Sequence, residues 1–153
     1  MRRKTIFATS LLILVVTVSL FISNSALLYE PVLKEPFFPV GTLVAWMGII
    51  TLPTSIYYGI EKLSMPGSRI SKTFSNLLKF IIFLCWLWGP LGYLLGGTFS
   101  FIFEDEEAFP GGILAAEYFW IFTFIVVLFP LVFLLTYLLY RLLNKIFRDR
   151  RLY

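Results

Sequence analysis

The sequence lacks histidine entirely and contains one cysteine, Cys85, among its 153 residues. Without histidine the chain cannot supply the usual axial ligand of a haem, a histidine-bound zinc ion, or the base of a Ser-His or Cys-His catalytic pair. A single cysteine forms neither an internal disulfide nor a paired-cysteine metal site, so we expect Cys85 to be a small buried apolar side chain. These absences predict a protein that is not an enzyme and that holds no metal and no cofactor.

Charged residues are also scarce, at 14% of the chain, whereas a soluble domain carries roughly a quarter. Hydrophobic residues make up 59%, and the charges lie in short clusters between apolar stretches long enough to cross a bilayer. The composition therefore predicts an all-α integral membrane protein with no soluble domain.

Four apolar stretches reach the roughly 20 residues that are needed to cross a hydrocarbon core of about 30 Å. They extend over residues 5–23, 40–60, 80–103 and 113–140. We expect one four-transmembrane-helix bundle, followed by a basic tail over residues 141–153. The first stretch also resembles a cleaved signal peptide, but its apolar run is longer than the usual signal core of about 7–15 residues, which favours a retained helix.

Basic residues are distributed very unevenly along the chain. All but one of the thirteen precede the first span, lie between the second and third, or follow the fourth; the exception is Lys34. Because short loops rich in lysine and arginine stay in the cytoplasm, we expect both termini to be cytoplasmic in a multi-pass protein of the cell membrane. This topology explains the positive net charge, so no nucleic-acid partner is expected.

The loop between the third and fourth spans carries four consecutive carboxylates. They are Glu104, Asp105, Glu106 and Glu107. A solvated turn is the first interpretation, docking of a basic partner by charge complementarity is the second, and a divalent cation site is the third.

Small residues recur at helical spacing in the second and third spans. They are Gly41, Ala45 and Gly48 in one, and Gly89, Gly92 and Gly96 in the other. Because apolar burial does not drive helix association in lipid, close approach through small residues does much of that work. The two stripes predict a tight contact between the second and third helices near the outer leaflet.

Trp86 and Trp88 lie near the centre of the third span, where their indole N–H groups need partners. We expect them to pack within the bundle, and contact with a pigment, quinone or lipid tail is the alternative. Glu117 is the only acidic residue within an apolar run, which makes it a candidate ion or proton site. It lies about one turn into the fourth helix, where the helix dipole favours negative charge, so a local role is the first expectation.

The start of the tail predicts a contact with lipid headgroups. Arg141, Lys145 and Arg148 recur at spacings of four and three residues, which places them on one face if the fourth helix continues past the membrane edge. Such a basic face is expected to meet anionic headgroups.

Taken together, these features predict a role that depends on contact. The leading hypothesis is a non-catalytic small subunit or stabilising protein of a larger membrane complex, with other integral membrane subunits as partners. The alternative is a small oligomeric transporter or channel that uses Glu117 or a pore lined by hydroxyls. Those hydroxyls belong to Thr42, Thr51, Thr54, Ser55 and Thr123. An enzyme that acts on lipids is third, because no acid–base or nucleophile–base pair is visible.

Overall fold

The computed structural model of the protein describes residues 2–33, 37–103 and 109–149, with only the backbone at residues 145 and 147–149. Its helices are α1 (Arg2–Ile22), α2 (Val40–Gly59), α3 (Glu61–Ser64), α4 (Arg69–Gly96) and α5 (Gly112–Asp149). Helix α3 is a single turn. The other four are long and apolar enough to cross a membrane, by length and composition. The chain is therefore mostly helical, and its architecture is compatible with a multi-pass membrane protein.

Helix α4 begins and ends earlier than the predicted span over residues 80–103, so those bounds are wrong. Ser68 precedes the helix and its side chain accepts a hydrogen bond from the Ser71 amide at 3.1 Å, which is an N-cap. Gly97 follows the helix with a φ of +72°, the left-handed conformation that commonly ends helices. The first turns of α4 are polar, and the apolar residues continue beyond Gly97. A span placed by composition alone therefore begins and ends later in the sequence than the helix does.

The described part of the segment between α1 and α2 contains three short regular elements. A short 3₁₀ helix (Ala26–Tyr29) leads into two antiparallel strands, β1 (Pro31–Leu33) and β2 (Phe38–Pro39). The amide of Val40 donates to the carbonyl of Glu30 at 2.8 Å, which joins the start of α2 to this hairpin.

Helix α2 lies at the centre of the bundle. It contacts α1, α4 and α5, and α4 and α5 also contact each other, whereas α1 packs chiefly against α2. The buried core between α2, α4 and α5 is large and aromatic. Its fully buried members include Cys85, Trp88, Phe119 and Val126. The result is a three-helix core with α1 attached to the outside of α2.

Helix lengths differ in a way that creates an overhang at one end. At 1.5 Å per residue, α1 and α2 are about 30 Å long, α4 is about 42 Å and α5 is about 57 Å. Two hydrogen bonds fix the register of these helices: the Trp46 indole donates to the Cys85 carbonyl at 3.1 Å, and the Trp88 indole donates to Thr123 Oγ1 at 2.9 Å. Counted from these bonds, part of the extra length of α4 and most of that of α5 project beyond the end of α2 at Gly59. We call that end the basic end, defined by Arg3, Lys62 and Arg141, and we call the opposite end, which carries β1 and β2, the hairpin end.

Candidate functional site

The two tryptophans near the middle of α4 have different surroundings. Trp88 is 1% exposed, donates to Thr123, and packs its ring against Phe101 and Phe119 at centroid distances of 5.2 and 5.6 Å. Trp86 is 55% exposed on the outer surface of the bundle. Trp88 is thus a core packing residue whose indole N–H has a hydrogen-bond acceptor. Trp86 is instead exposed on the outside of the bundle.

The glycine stripes of α2 and α4 do not face each other, although the two helices are in contact. Gly89 accommodates the indole of Trp46, and a Cβ at Gly89 would lie 2.7 Å from Trp46 Cδ2. On α2, Gly48 meets α1 instead, since a Cβ there would lie 2.5 Å from Thr17 Cγ2. Periodicity identified the faces, but it could not identify the neighbours.

The remaining small residues also pack against larger side chains. Gly41 faces the ring of Phe103, and Gly92 and Gly96 face Phe101. Ala45 is half-buried against the aromatic core. In a chain with 19% aromatic residues, glycine provides room for rings as well as for neighbouring backbones.

The five hydroxyls proposed for a pore all have partners within the protein. Thr42 Oγ1 donates to the Phe99 carbonyl at 2.6 Å, and Thr123 Oγ1 donates to the Phe119 carbonyl at 2.9 Å while accepting from Trp88. The other three donate to carbonyls of their own helix within 3.1 Å: Thr51, Thr54 and Ser55. These groups need no water or ion to satisfy their donors.

Glu117 lies on the outward face of α5. Its side chain is exposed, and it borders a shallow depression of about 450 Å³ with Trp120 and three apolar residues of the same helix. Within the described residues, its carboxylate has no ion-pair partner. The acidic run of residues 104–107 lies outside the described residues.

At the hairpin end, apolar side chains are exposed beyond the long helices. Tyr29, Val32, Leu33 and Phe37 are each about half exposed. The hairpin is fixed on the bundle by aromatic contacts, with the Phe38 ring 4.6 Å from Phe99 and the Tyr29 ring 4.9 Å from Phe103. We call these four exposed residues the apolar patch.

At the basic end, Arg3 joins α1 to the end of α2. Its Nε donates to the Tyr58 carbonyl at 2.9 Å, its Nη2 donates to the Gly59 carbonyl at 3.4 Å, and its Nη1 lies 3.7 Å from Glu61 Oε2. A cation at a helix C-terminus satisfies the last carbonyls and complements the helix dipole. The sequence placed Arg3 on the basic side, but it gave no signal for this contact.

Arg141 is the one predicted headgroup residue whose side chain the structure describes, because those of Lys145 and Arg148 lie outside the described residues. Helix α5 does continue through these positions to Asp149. Arg141 is exposed and borders two adjoining cavities of about 530 and 690 Å³, together with Lys62, Ser68 and Ser71. Sequence reasoning missed this grouping because α5 is distant from the other three residues in the chain.

Among residues 2–33, 37–103 and 109–149, no group of three or more histidine, cysteine, aspartate or glutamate side chains could hold a metal ion. No protein-family model matches the chain, and no curated protein or solved structure matches it either. Its function is therefore inferred from its own residues and their geometry.

Proposed function

We propose that the chain is a non-catalytic small subunit, or a stabilising interaction protein, of a larger membrane protein complex in the cell membrane. The observation that carries this proposal is the apolar patch at the hairpin end. Its four side chains lie outside the long helices, on a segment that aromatic contacts fix to the bundle. An exposed apolar group of this kind typically marks an interaction surface.

The placement of charge supports a topology in which both termini are cytoplasmic. Arg3, Lys62 and Arg141 come from distant parts of the chain and gather at the basic end. Lysine and arginine in short loops favour the cytoplasmic side. In this topology the apolar patch faces the opposite side of the membrane, together with the acidic loop, which would dock a basic segment of the partner.

The contacts of α1 support the interpretation that it is a retained helix rather than a cleaved signal. Besides the Arg3 contacts, Thr17 Oγ1 donates to the Val44 carbonyl at 3.3 Å. The side chain of Thr17 also packs against Gly48, where a Cβ would overlap it. A signal peptide that is cleaved after export is not expected to form specific polar contacts with the mature bundle, so these contacts support a retained α1.

The competing function is a small oligomeric transporter or channel. The five candidate pore hydroxyls are engaged within the chain, and Glu117 lies on the outer surface of α5 rather than between helices. A permeation pathway would therefore have to form between copies. These observations favour the subunit over the transporter.

The test is the composition of the particle that contains this protein after extraction into mild detergent or nanodiscs. We expect a complex with a second membrane protein at fixed stoichiometry, measured by native mass spectrometry. The double substitution Val32→Ser with Leu33→Ser should weaken that association by about tenfold or more, because anchoring side chains dominate interfaces.

Met65→Ser is the control for the patch variant, because Met65 is an apolar residue outside the long helices that is even more exposed than Val32 and Leu33 but lies at the basic end. It should leave the complex intact. Recovery of the unsubstituted chain only as a monomer contradicts the proposal, and solute flux through the purified, reconstituted chain supports the transporter instead.

A further inference from the structure

The two adjoining cavities at the basic end are built from segments that are far apart in the sequence. Lys62 comes from α3, Ser68 and Ser71 from the start of α4, and Arg141 from the overhanging part of α5, and all four border both cavities. The cavities are open to the surroundings at the level where α2 ends and α4 and α5 continue. The site therefore combines a cleft with two cations, Lys62 and Arg141, at its border.

The balance of charge around the cleft is positive. Arg3 and Glu61 also border the larger cavity, and the Glu61 carboxylate lies 3.7 Å from the Arg3 guanidinium. The acid is thus engaged by a third cation, which leaves Lys62 and Arg141 to attract an anion. Guanidinium and ammonium groups form strong, charge-assisted hydrogen bonds with phosphate oxygens.

Local hydrogen bonds fix the polar wall of the cleft. The hydroxyl of Ser71, which is largely buried, donates to the carbonyl of Lys62. This bond fastens α3 to the first turn of α4. Ser68 caps the same turn, and the positive end of the α4 dipole at this point also favours an anion.

The opposite wall is apolar and belongs to the outer part of α5. Leu138 and Leu142 border the smaller cavity with Tyr137 and Tyr140, and Ile70 closes it from α4. A soluble phosphate ion has no apolar part to contact this wall. In a phospholipid, the glycerol and the first methylenes of the acyl chains would contact it. Anionic phospholipids are enriched in the cytoplasmic leaflet, on the side where the proposed topology places this cleft.

We propose that this cleft is a specific site for the phosphate headgroup of an anionic phospholipid. Lys62 and Arg141 bind the phosphate, Ser68 borders it, and Leu138 and Leu142 contact the start of the acyl chains. The proposal rests on the membrane location and topology proposed above. It does not need a protein partner, so its test uses the purified full-length chain.

The experiment is native mass spectrometry of the full-length chain released from micelles that contain equal amounts of phosphatidic acid and phosphatidylcholine with identical acyl chains. We expect a preferential one-to-one adduct with phosphatidic acid. Lys62→Gln with Arg141→Gln should lower that preference about tenfold, as expected for the loss of charge-assisted bonds. Arg141→Lys, which keeps the charge, should retain most of it when Lys62 is present.

Lys72→Gln is the matched control, because Lys72 is an exposed cation of the same α4 segment that does not border either cavity. It should change the preference less than twofold, about the effect of net charge alone. Unchanged binding in the double variant, or an equal loss in Lys72→Gln, overturns the site. Circular dichroism verifies that each variant is folded.

A second arm identifies the source of the phosphate. Glycerol 1-phosphate, added up to millimolar concentration, should not displace phosphatidic acid from the chain. Displacement by the soluble compound overturns the lipid proposal and assigns the cleft to a soluble phosphate. A chain that binds phosphatidic acid specifically but never recovers a stoichiometric partner keeps this inference and loses the proposed subunit function.

Discussion

Helices α1 and α2 are almost equal in length but opposite in environment. In its most apolar stretch, α1 has 11% of its residues buried, whereas α2 has 50%. Yet α1 is the more apolar of the two. In a water-soluble protein the more apolar helix belongs in the core, so this bundle is organised for surroundings that are themselves apolar.

The face of α1 that contacts the bundle is polar, whereas the buried face of a helix in a water-soluble protein is apolar. Its two buried residues are Ser10 and Thr17, both small and polar, while most of its large apolar side chains are exposed. In lipid, apolar residues gain nothing by turning inward, and small polar residues allow close packing and interhelical hydrogen bonds. Arg3 lies seven residues before Ser10, on the same face, and adds its contact with the end of α2.

The largest effect on stability is expected when a side chain is added at Gly89, where the Trp46 indole of α2 packs against α4. Gly89→Val should lower the free energy of unfolding by about 3 kcal/mol, because the new side chain overlaps the Trp46 indole. Gly67→Val is the control, since no atom lies within 4 Å of a Cβ at that position. The measurement is reversible unfolding in mixed micelles. Equal stability of the two variants would show that α2 and α4 are not packed as described.

A second test compares a buried and an exposed tryptophan on one helix. Trp88→Phe should cost about 2 kcal/mol, because it leaves a cavity and removes the bond to Thr123. Trp86→Phe should cost less than about 0.5 kcal/mol, as at other exposed sites. The same unfolding assay measures both. A larger cost at Trp86 than at Trp88 would reverse the assignment of the inner and outer faces of α4.

A third test concerns the attachment of α1 at the basic end. Arg3→Gln should destabilise the bundle by about 1 kcal/mol, since the last carbonyls of α2 lose a cation. Arg2→Gln removes the same charge from an exposed neighbour and should be close to neutral. If both substitutions have the same effect, net charge rather than the contact with α2 is responsible.

The smallest expected effect is that of a single hydroxyl between α1 and α2. Thr17→Val should cost about 0.6 kcal/mol, the average value for hydrogen bonds between membrane helices. Thr9→Val makes the same change at an exposed position of α1 and should leave the midpoint unchanged. The difference between the two midpoints is the quantity to measure, and a difference of zero would contradict a role for Thr17 in the contact.

Much of the fold could be predicted from the sequence because span number depends on length and composition, which are local properties. The prediction of helix contact between α2 and α4 was also correct in kind. The neighbours of each glycine could not be predicted: Gly48 meets Thr17 of α1, and Gly89 meets Trp46 of α2. Helical periodicity gives the face of a residue but not the element opposite it.

The candidate sites show the same limit. Arg141 was expected to contact headgroups as part of a basic face on one helix. The structure places Arg141 beside Lys62 and Ser71 around a cleft. About 70 residues or more of sequence separate Arg141 from these two residues, so the grouping could not be predicted. The end of α4 at Gly97 was also missed, because only the backbone conformation there, and no change in composition, marks it.

The account depends most directly on α1 facing lipid over most of its surface while α2 is half buried within the bundle. A single substitution, Cys85→Ser, removes the only cysteine and permits nitroxide labels at the exposed Leu12 and Val16 of α1, and at the buried Ile50 of α2, in nanodiscs. Power-saturation measurements should give high oxygen and low nickel-chelate accessibility at Leu12 and Val16, and low accessibility to both at Ile50. High nickel-chelate accessibility at Leu12 and Val16 would place α1 in water and contradict the account.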